Sequence, residues 1–284
     1  MTTSLVVMAA GRGSRFGGMK QVAGLGPAQE SLFDFAVYDA AVKAGFDDAV
    51  FVVSEESRDA VAAHVAGGLG RHIDARFVLQ AAGDRPKPWG TGQAVLCACA
   101  EVGGAFGVIN ADDFYGRRSF QLLAEALARP EDDHVCIGFR LRDTLSTHGG
   151  VSRGLCIVED GLLTGIRELH GVRDDGGKVV CDEGVDLTGD EPVSLNLWGF
   201  RPSFCEVLGV EFDRFRQRVG DDTKAEFLIG DAIDALPGHG AARVRVVPTP
   251  ERFMGVTYQD DVAGVRAELA RLVGEGVYPS PLWA

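Results

Sequence analysis

The chain has little positive charge and no long apolar run. Its 284 residues include 28 Lys and Arg against 41 Asp and Glu, which gives a net charge of −13. A broad nucleic-acid surface needs clustered Lys and Arg, so we expect no nucleic-acid partner. No apolar run is long enough to cross a bilayer, and the sequence does not open with a basic leader and an apolar core. We therefore expect no membrane partner and a cytoplasmic location.

The six cysteines and six histidines also lack the spacing of metal sites. No Cys-x-x-Cys pair occurs, and the histidines do not cluster. We expect reduced cysteines, without a zinc site or a disulfide framework.

The first half of the chain alternates predicted strands with predicted helices. Hydrophobic residues make up 46% of the sequence, which is enough for a substantial core. Short apolar runs predict strands, and apolar residues at helical spacing predict helices. The strands fall over 5–8, 49–53, 76–80 and 105–110, and the helices over 31–44, 57–65 and 91–101. Repeated βα units predict a mostly parallel sheet covered on both faces, with ligands at the carboxyl ends of its strands.

The second half has more strands and fewer helices. We predict strands over 134–141, 151–159, 162–168, 192–200 and 243–248, and helices over 203–218 and 262–274. No repeat or linker separates the halves. The simplest architecture is one domain, 1–284, in which residues 1–130 and 131–284 share a sheet.

A glycine-rich turn follows the first strand directly. Gly11 and Gly13 allow backbone N–H groups to approach a phosphate, and Arg12, Arg15 and Lys20 can neutralise it. The turn therefore predicts a triphosphate-binding loop, against the alternative of a plain turn with solvated basic residues.

Two common phosphate-binding motifs do not fit this turn. A Walker A loop requires Gly-Lys-Ser/Thr, which is missing here. A dinucleotide fingerprint requires a third glycine where the chain has Phe16, with Gly17 one residue late.

The full string Ala-Ala-Gly-x-Gly-Ser-Arg, with a lysine soon after, resembles the signature of the sugar-phosphate nucleotidylyltransferases, of glucose-1-phosphate uridylyl- or thymidylyltransferase type. The resemblance implies an α/β fold with three layers (α/β/α) and a mixed, mostly parallel sheet of the Rossmann-like nucleotide-diphospho-sugar transferase type. It implies a nucleotide-binding half (1–130) and a sugar-phosphate-binding half (131–284). It implies that Arg15 and Lys20 are catalytic and offset phosphate charge as pyrophosphate leaves. It places the nucleotide on Ala10, Gly11, Gly13 and Ser14.

Two adjacent carboxylates, Asp112 and Asp113, follow the predicted strand 105–110. Mg²⁺ prefers one or two carboxylates together with phosphate oxygens. The segment resembles the Asp-Asp/Asn step of the family, which implies that Asp112 binds the metal and that Asp113 orients the sugar. The alternative is that both residues only form a turn.

Gly90 and Thr91 stand at the start of a predicted helix, and Gln80 ends the strand before it. In similar family members the positions of Gly90 and Gln80 contact the base, and we assign Gln80, Gly90 and Thr91 to nucleotide binding. An amide side chain offers both a donor and an acceptor, which suits a pyrimidine.

Three polar residues of the second half are candidates for substrate binding. Glu168 matches a strand-end glutamate that accepts hydrogen bonds from sugar hydroxyls, and Asn196 matches an asparagine directed at the sugar. The family commonly has a lysine where this chain has Leu169, so a phosphate contact is missing or moved. Lys224 is the candidate replacement, unless it is only a solvated surface charge.

The largest departure from the family lies near the C-terminal end. Most members have a second metal-binding aspartate where this chain has Gly255. Asp260 and Asp261 follow late and are typical of a helix start. Either Asp260 reaches back to the metal, or Asp112, water and phosphate hold it alone. The pattern Gly-Val-Thr-Tyr at 255–258 and the closing Tyr-Pro and Leu-Trp pairs resemble a less-studied bacterial branch.

The resemblance predicts transfer of a nucleotidyl group from an NTP, UTP or dTTP, to a sugar 1-phosphate, with Mg²⁺ and release of pyrophosphate. Three alternatives stay open: transfer, for example cytidylyl transfer, to a non-sugar phosphate such as an alditol or choline phosphate; a non-catalytic nucleotide sensor; and, least favoured, a dinucleotide-dependent oxidoreductase. The sequence does not fix the base, the acceptor or whether the protein is a homo-oligomer.

Overall fold

A computed structural model describes residues 2–11, 19–240, 243–256 and 259–283. Four strands of the first half run parallel: β1 (Ser4–Met8), β2 (Asp48–Val53), β3 (Asp74–Leu79) and β4 (Phe106–Asn110). Three helices connect them: α1 (Leu32–Tyr38), α2 (Arg58–Gly67) and α3 (Thr91–Ala98). These elements agree with the predicted βα units.

The described residues after β4 add mostly short strands and four α-helices. The strands are β5 (Asp113–Phe114), β6 (His134–Arg140), β7 (Val151–Glu159), β8 (Leu162–Asp175), β9 (Lys178–Val180), β10 (Pro192–Ser194), β11 (Trp198–Phe200), β12 (Val244–Pro248) and β13 (Met254–Gly255). The helices are α4 (Arg117–Leu127), α5 (Ser203–Val219), α6 (Ile229–Ala235) and α7 (Asp261–Gly274).

Strands from both halves form one mixed sheet of 11 strands. Its order is β10-β7-β8-β12-β6-β11-β4-β1-β2-β3, with β9 beside β8. β11 is antiparallel to both β4 and β6, whereas β12 is parallel to β6. The predicted mixed, mostly parallel α/β sheet is confirmed.

Helices cover both faces of the sheet. Successive residues of β1 point to opposite faces, so Leu5 and Val7 join one buried cluster and Val6 joins another. The first cluster includes Phe33 of α1, and the second includes Phe204 of α5. The result is the expected three-layer arrangement.

The register of β1 and β4 determines where the site lies. Met8 pairs with Asn110 in parallel, so the segments that follow the two strands leave the sheet side by side. The residues that directly follow β1, Ala9 to Gly11, and the aspartate pair therefore leave the sheet at the same edge, as open α/β sheets favour for ligand sites.

Two predicted elements are interrupted. The strand predicted over 192–200 is divided into β10 and β11, because Asn196 has a φ of 61° and bends the chain between different partner strands. Asparagine tolerates this left-handed conformation better than most residues. The helix predicted over 31–44 is α-helical only over Leu32–Tyr38 and continues as a π-helical turn, Asp39–Lys43.

The expectation that all cysteines are reduced is wrong for one pair. Cys99, at the end of α3, forms a disulfide with Cys205 in α5, and their Cα atoms are 5.8 Å apart. The two cysteines are 106 positions apart in sequence, so only the packing of α3 against α5 reveals the pair.

Within the described residues, none of the helices has the length and apolar character needed to span a membrane.

The disulfide closes a loop of 106 residues, so removing it should cost stability. We expect the double variant Cys99→Ala/Cys205→Ala to lower the free energy of unfolding by about 3 to 5 kcal/mol, measured by urea denaturation. Cys97→Ala is the matched control, because Cys97 is a free cysteine of the same helix. Equal unfolding midpoints for the double variant and the control would contradict the prediction.

Candidate active site at the carboxyl edge of the sheet

The aspartate pair after β4 is the centre of the site. The Nζ atom of Lys20 lies 2.5 Å from Oδ2 of Asp112. The two side chains are 17% and 34% exposed, so the ion pair is partly shielded but accessible from a cavity. The structure thus brings together the predicted catalytic lysine and the predicted metal ligand.

Asp113 is held by hydrogen bonds on the other side of the pair. Its Oδ2 accepts from Nδ2 of Asn110 at 2.8 Å and from the hydroxyl of Tyr115 at 3.5 Å. Burial and the neighbouring charge of Asp112 raise the pKa of Asp113 to about 7, and Asn110, Lys20 and Arg153 oppose that rise. The surrounding groups therefore stabilise the ionised form of Asp113 only in part, and burial is the larger cause of the raised pKa.

A cavity of about 480 Å³ opens on the Asp112 side. We call it the nucleotide-side cavity. Its walls include six residues that the sequence assigned to nucleotide or metal binding, namely Ala10, Gly11, Gln80, Gly90, Thr91 and Asp112. Gln21 and Lys87 also line it, and neither was singled out from the sequence. The predicted positions Gly13, Ser14 and Arg15 lie outside the described residues.

Gln80 and Gly90 both make contacts within the protein in this wall. Nε2 of Gln80 donates to the carbonyl oxygen of Gly90 at 2.8 Å and to Oε1 of Gln93 at 3.1 Å. Gly90 has a φ of 109°, and a Cβ atom there would lie 2.7 Å from the carbonyl oxygen of Phe227. The sequence predicts the close approach of a ligand at Gly90. In the structure the backbone of Phe227 also approaches Gly90 closely.

A second cavity, of about 440 Å³, opens on the Asp113 side. We call it the acceptor-side cavity. Asp113, Glu168 and Asn196, three of the four predicted substrate residues, line it. It shares Thr91 and Asn110 with the nucleotide-side cavity, so the two spaces adjoin at the end of β4.

Asn196 is oriented toward this junction. Its Nδ2 donates to Oδ1 of Asn110 at 3.4 Å, and its Oδ1 accepts from Nε1 of Trp198 at 3.3 Å. The left-handed backbone at Asn196, which interrupts the predicted strand, places the amide in the cavity wall.

Two expectations about the acceptor residues need correction. Glu168 does not end a strand, because β8 continues to Asp175. Lys224 is exposed and belongs to neither cavity lining, and its backbone N–H donates to Asp222 within a surface turn. Its position does not replace a phosphate contact in the cavity.

Sequence reasoning missed Arg153. This residue of β7 lines the acceptor-side cavity and pairs across the sheet with Leu169 of β8. An irregularity in the pairing lies between Val151 and Arg153, so strand alternation alone would not give its direction. The one available signal was an arginine within a predicted strand.

Packing against Asp113 explains why a glycine stands at position 255. β13 pairs with β5 so that Gly255 lies opposite Asp113, and a Cβ atom at 255 would be 2.6 Å from Oδ1 of Asp113. The Asp113 carboxylate occupies the space that a side chain from position 255 would need. An aspartate at 255 and the observed position of Asp113 exclude each other.

Asp260 does not replace the missing aspartate. It is the N-cap residue of α7, is exposed, and lies outside the linings of both cavities. Among the described residues, no group of three or more His, Cys, Asp or Glu side chains could hold a metal ion. The carboxylates that the structure offers to a cation are therefore the adjacent pair Asp112 and Asp113.

Restoring the family's aspartate should destabilise the protein. We expect Gly255→Asp to lower the free energy of unfolding by about 2 kcal/mol or more, because it overpacks Asp113 and adds a like charge. Gly255→Ala isolates the steric part. Adding Asp113→Ala to Gly255→Asp should recover about 1 kcal/mol or more in a double-mutant cycle measured by urea denaturation. Additive effects in that cycle would refute the contact.

Comparisons with known proteins agree with this geometry. The structure of the inositol-1-phosphate CTP transferase from T. maritima matches with a TM-score of 0.62 and 13% identity, over 94% of this chain and 96% of that one. A Bacillus anthracis protein assigned as a glucose-1-phosphate thymidylyltransferase, solved in complex with a sucrose, matches with a TM-score of 0.65 and 12% identity, over 94% and 95% of the two chains. At these identities the likeness shows the fold alone.

A search of curated protein sequences finds no match. The family model of the MobA-like NTP transferase domain matches residues 5–181, which is more than half of the chain. The resemblance to nucleotidylyltransferases, first indicated by the opening loop, is thereby confirmed. The protein belongs to the family of MobA-like NTP transferase domains.

Proposed function

We propose that the protein transfers a nucleotidyl group from an NTP to a sugar 1-phosphate, giving an NDP-sugar and pyrophosphate. One observation supports this most directly: the nucleotide-side and acceptor-side cavities adjoin at Thr91 and Asn110, with Asp112 in one wall and Asp113 in the other. Two substrates bound in these spaces would meet at the aspartate pair.

The aspartate pair fits a magnesium ion. Its donors are hard carboxylate oxygens, and the pKa of Asp113, raised by burial and then by the charge of Asp112, would be lowered by a neighbouring cation. Mg²⁺ commonly takes one or two carboxylates and completes its coordination with water and phosphate oxygens. Asp112, with Asp113 beside it, would hold the ion, which would supply charge stabilisation to the phosphates.

The side chains of the protein then need only to position the two substrates and to neutralise phosphate charge. The acceptor phosphate is already an anionic nucleophile, so its attack on the α-phosphate requires no strong general base. Lys20, held at the edge of the nucleotide-side cavity, would stabilise the α-phosphate and the leaving pyrophosphate. The family resemblance assigns Arg15 the same role.

Polar groups in the two cavities support the choice of substrates. Glu168 and Asn196 offer hydrogen-bonding groups suited to sugar hydroxyls. Gln80 lies in the nucleotide-side wall, and because both of its amide N–H groups are donated within the protein, its Oε1 is the atom left to accept a hydrogen bond from a base. The family resemblance makes UTP or dTTP our first choice of donor.

A second candidate is cytidylyl transfer to a non-sugar phosphate. It is favoured by the structural likeness to an inositol-1-phosphate CTP transferase over 94% of this chain. The two candidates use the same aspartate pair and differ in the base and the acceptor.

The deciding experiment is a matrix of pyrophosphate release with Mg²⁺. The four common NTPs and dTTP are each combined with sugar 1-phosphates, inositol 1-phosphate, alditol phosphates and choline phosphate, and product masses are measured. Release that requires one NTP and one sugar 1-phosphate supports the proposal. Release only with a non-sugar phosphate supports the second candidate. Nucleotide binding without release under any combination refutes both and favours a nucleotide sensor.

Lys20 gives the sharpest single-residue test of this proposal. We expect Lys20→Ala to lower kcat by about 10²-fold or more, because it removes a cation from the developing phosphate charge. Lys178→Ala, at an exposed lysine of β9, is the matched control and should keep the wild-type kcat. Circular dichroism and urea denaturation establish that both variants fold. Near-normal turnover of a folded Lys20→Ala variant would refute the role.

A further inference from the structure

The acceptor-side cavity has a strongly unequal charge distribution. Four carboxylates line it, those of Asp113, Glu168, Asp231 and Asp234. Arg153 is the one Lys or Arg among the described residues of its lining. A phosphate entering this space would be repelled unless it met a cation, so Arg153 is the residue of the cavity wall that can receive it.

The guanidinium of Arg153 is fixed by its surroundings. Nε donates to Oγ1 of Thr144 at 3.0 Å, Nη1 donates to the carbonyl oxygen of Ser152 at 2.7 Å, and Nη2 donates to the carbonyl oxygen of Thr144. Its centre also lies 5.4 Å from the centroid of the Phe253 ring. A guanidinium has five N–H groups, so these contacts leave one on each terminal nitrogen for a ligand.

Arg153 shares the cavity lining with the carboxylates of Asp113 and Glu168. It interacts electrostatically with Asp113 and with Glu168, yet no carboxylate of the described residues comes within the 4.0 Å distance of a salt bridge to it. Asp113 belongs to the pair at the cavity junction, and Glu168 is the residue assigned to sugar hydroxyls. The phosphate of a sugar 1-phosphate must lie between its sugar and the reaction centre, and Arg153 lines the cavity that also holds Asp113 and Glu168.

We propose that Arg153 binds the phosphate of the acceptor and thereby holds the attacking oxygen toward the nucleotide-side cavity. This assignment rests on the proposed function. Arginine suits the task because its planar fork matches two phosphate oxygens and keeps its charge. Lys20 then serves the donor phosphates on one side of the aspartate pair, and Arg153 serves the acceptor phosphate on the other.

The test compares Arg153→Met and Arg153→Lys with a matched control, Arg167→Met, at an exposed arginine of β8 outside the cavity lining. KM and kcat are measured for the NTP–acceptor pair identified in the matrix. The dephosphorylated acceptor is used as a competitive inhibitor. We expect Arg153→Met to raise the acceptor KM about 30-fold, because a charge-assisted hydrogen bond is lost, and to leave the NTP KM within about twofold.

Arg153→Lys keeps the charge but loses the fork, so its acceptor KM should rise by an intermediate factor. The inhibition constant of the dephosphorylated acceptor should be the same in all four proteins, because that compound has no phosphate to lose. If Arg153 had only a structural role, its replacement would weaken the binding of the acceptor and of the dephosphorylated acceptor to the same extent.

Two results would overturn the assignment: an acceptor KM within about threefold of wild type in Arg153→Met, or equal losses for the acceptor and its dephosphorylated form. If Arg153→Met does not fold, Arg153→Lys decides by the same criteria. Failure of the proposed function is separately visible, because the wild-type protein would then release no pyrophosphate in the matrix before any variant is made.

Discussion

The burial of one carboxylate directly beside a second one governs the arrangement of this site. Asp112 and Asp113 follow one strand directly, so the chain cannot separate their charges. The fold places a lysine against Asp112, and it places an asparagine amide and a more distant arginine around Asp113. These groups stabilise the ionised form of Asp113 only in part, since burial, and after it the charge of Asp112, still raises the pKa of Asp113 to about 7. A cation bound at the pair would add to that stabilisation, and the two cavities adjoin at this point.

The same constraint explains the sequence at the far end of the chain. Asp113 needs room for its carboxylate, and β13 supplies that room by presenting a glycine opposite it. In the family pattern a second aspartate comes from that later strand, whereas here both carboxylates, Asp112 and Asp113, come from the segment that joins β4 to β5 and from the start of β5. We infer that Asp113 and Gly255 depend on each other. The space between β5 and β13 holds one carboxylate, and in this chain Asp113 of β5 supplies it.

The C-terminal segment supports the helix that follows the aspartates. Arg117, at the start of α4, donates through Nε to Oδ1 of Asp39 at 3.0 Å and through Nη2 to the carbonyl oxygen of Val277. The hydroxyl of Tyr278 donates to Oδ2 of Asp39 at 2.5 Å, and burial raises the pKa of that carboxyl to about 6. Polar groups buried this deeply must be satisfied together, so the network fixes α4, α1 and the end of the chain relative to one another.

How much of this could be predicted depends on the distance in sequence between the residues involved. The Asp112 site follows from a local pattern, an apolar strand followed by carboxylates, and the parallel βα units place it beside the end of β1. Arg153 and the Cys99–Cys205 disulfide depend on which strand or helix lies next to which, and a pairing irregularity next to Arg153 removes even the strand alternation as a guide. Lys224 illustrates the opposite error, since a cation in a plausible stretch of sequence lies in a surface turn. Site residues could therefore be predicted from the sequence where the end of one strand supplies them. They could not be predicted where they depend on which elements pack together in the fold.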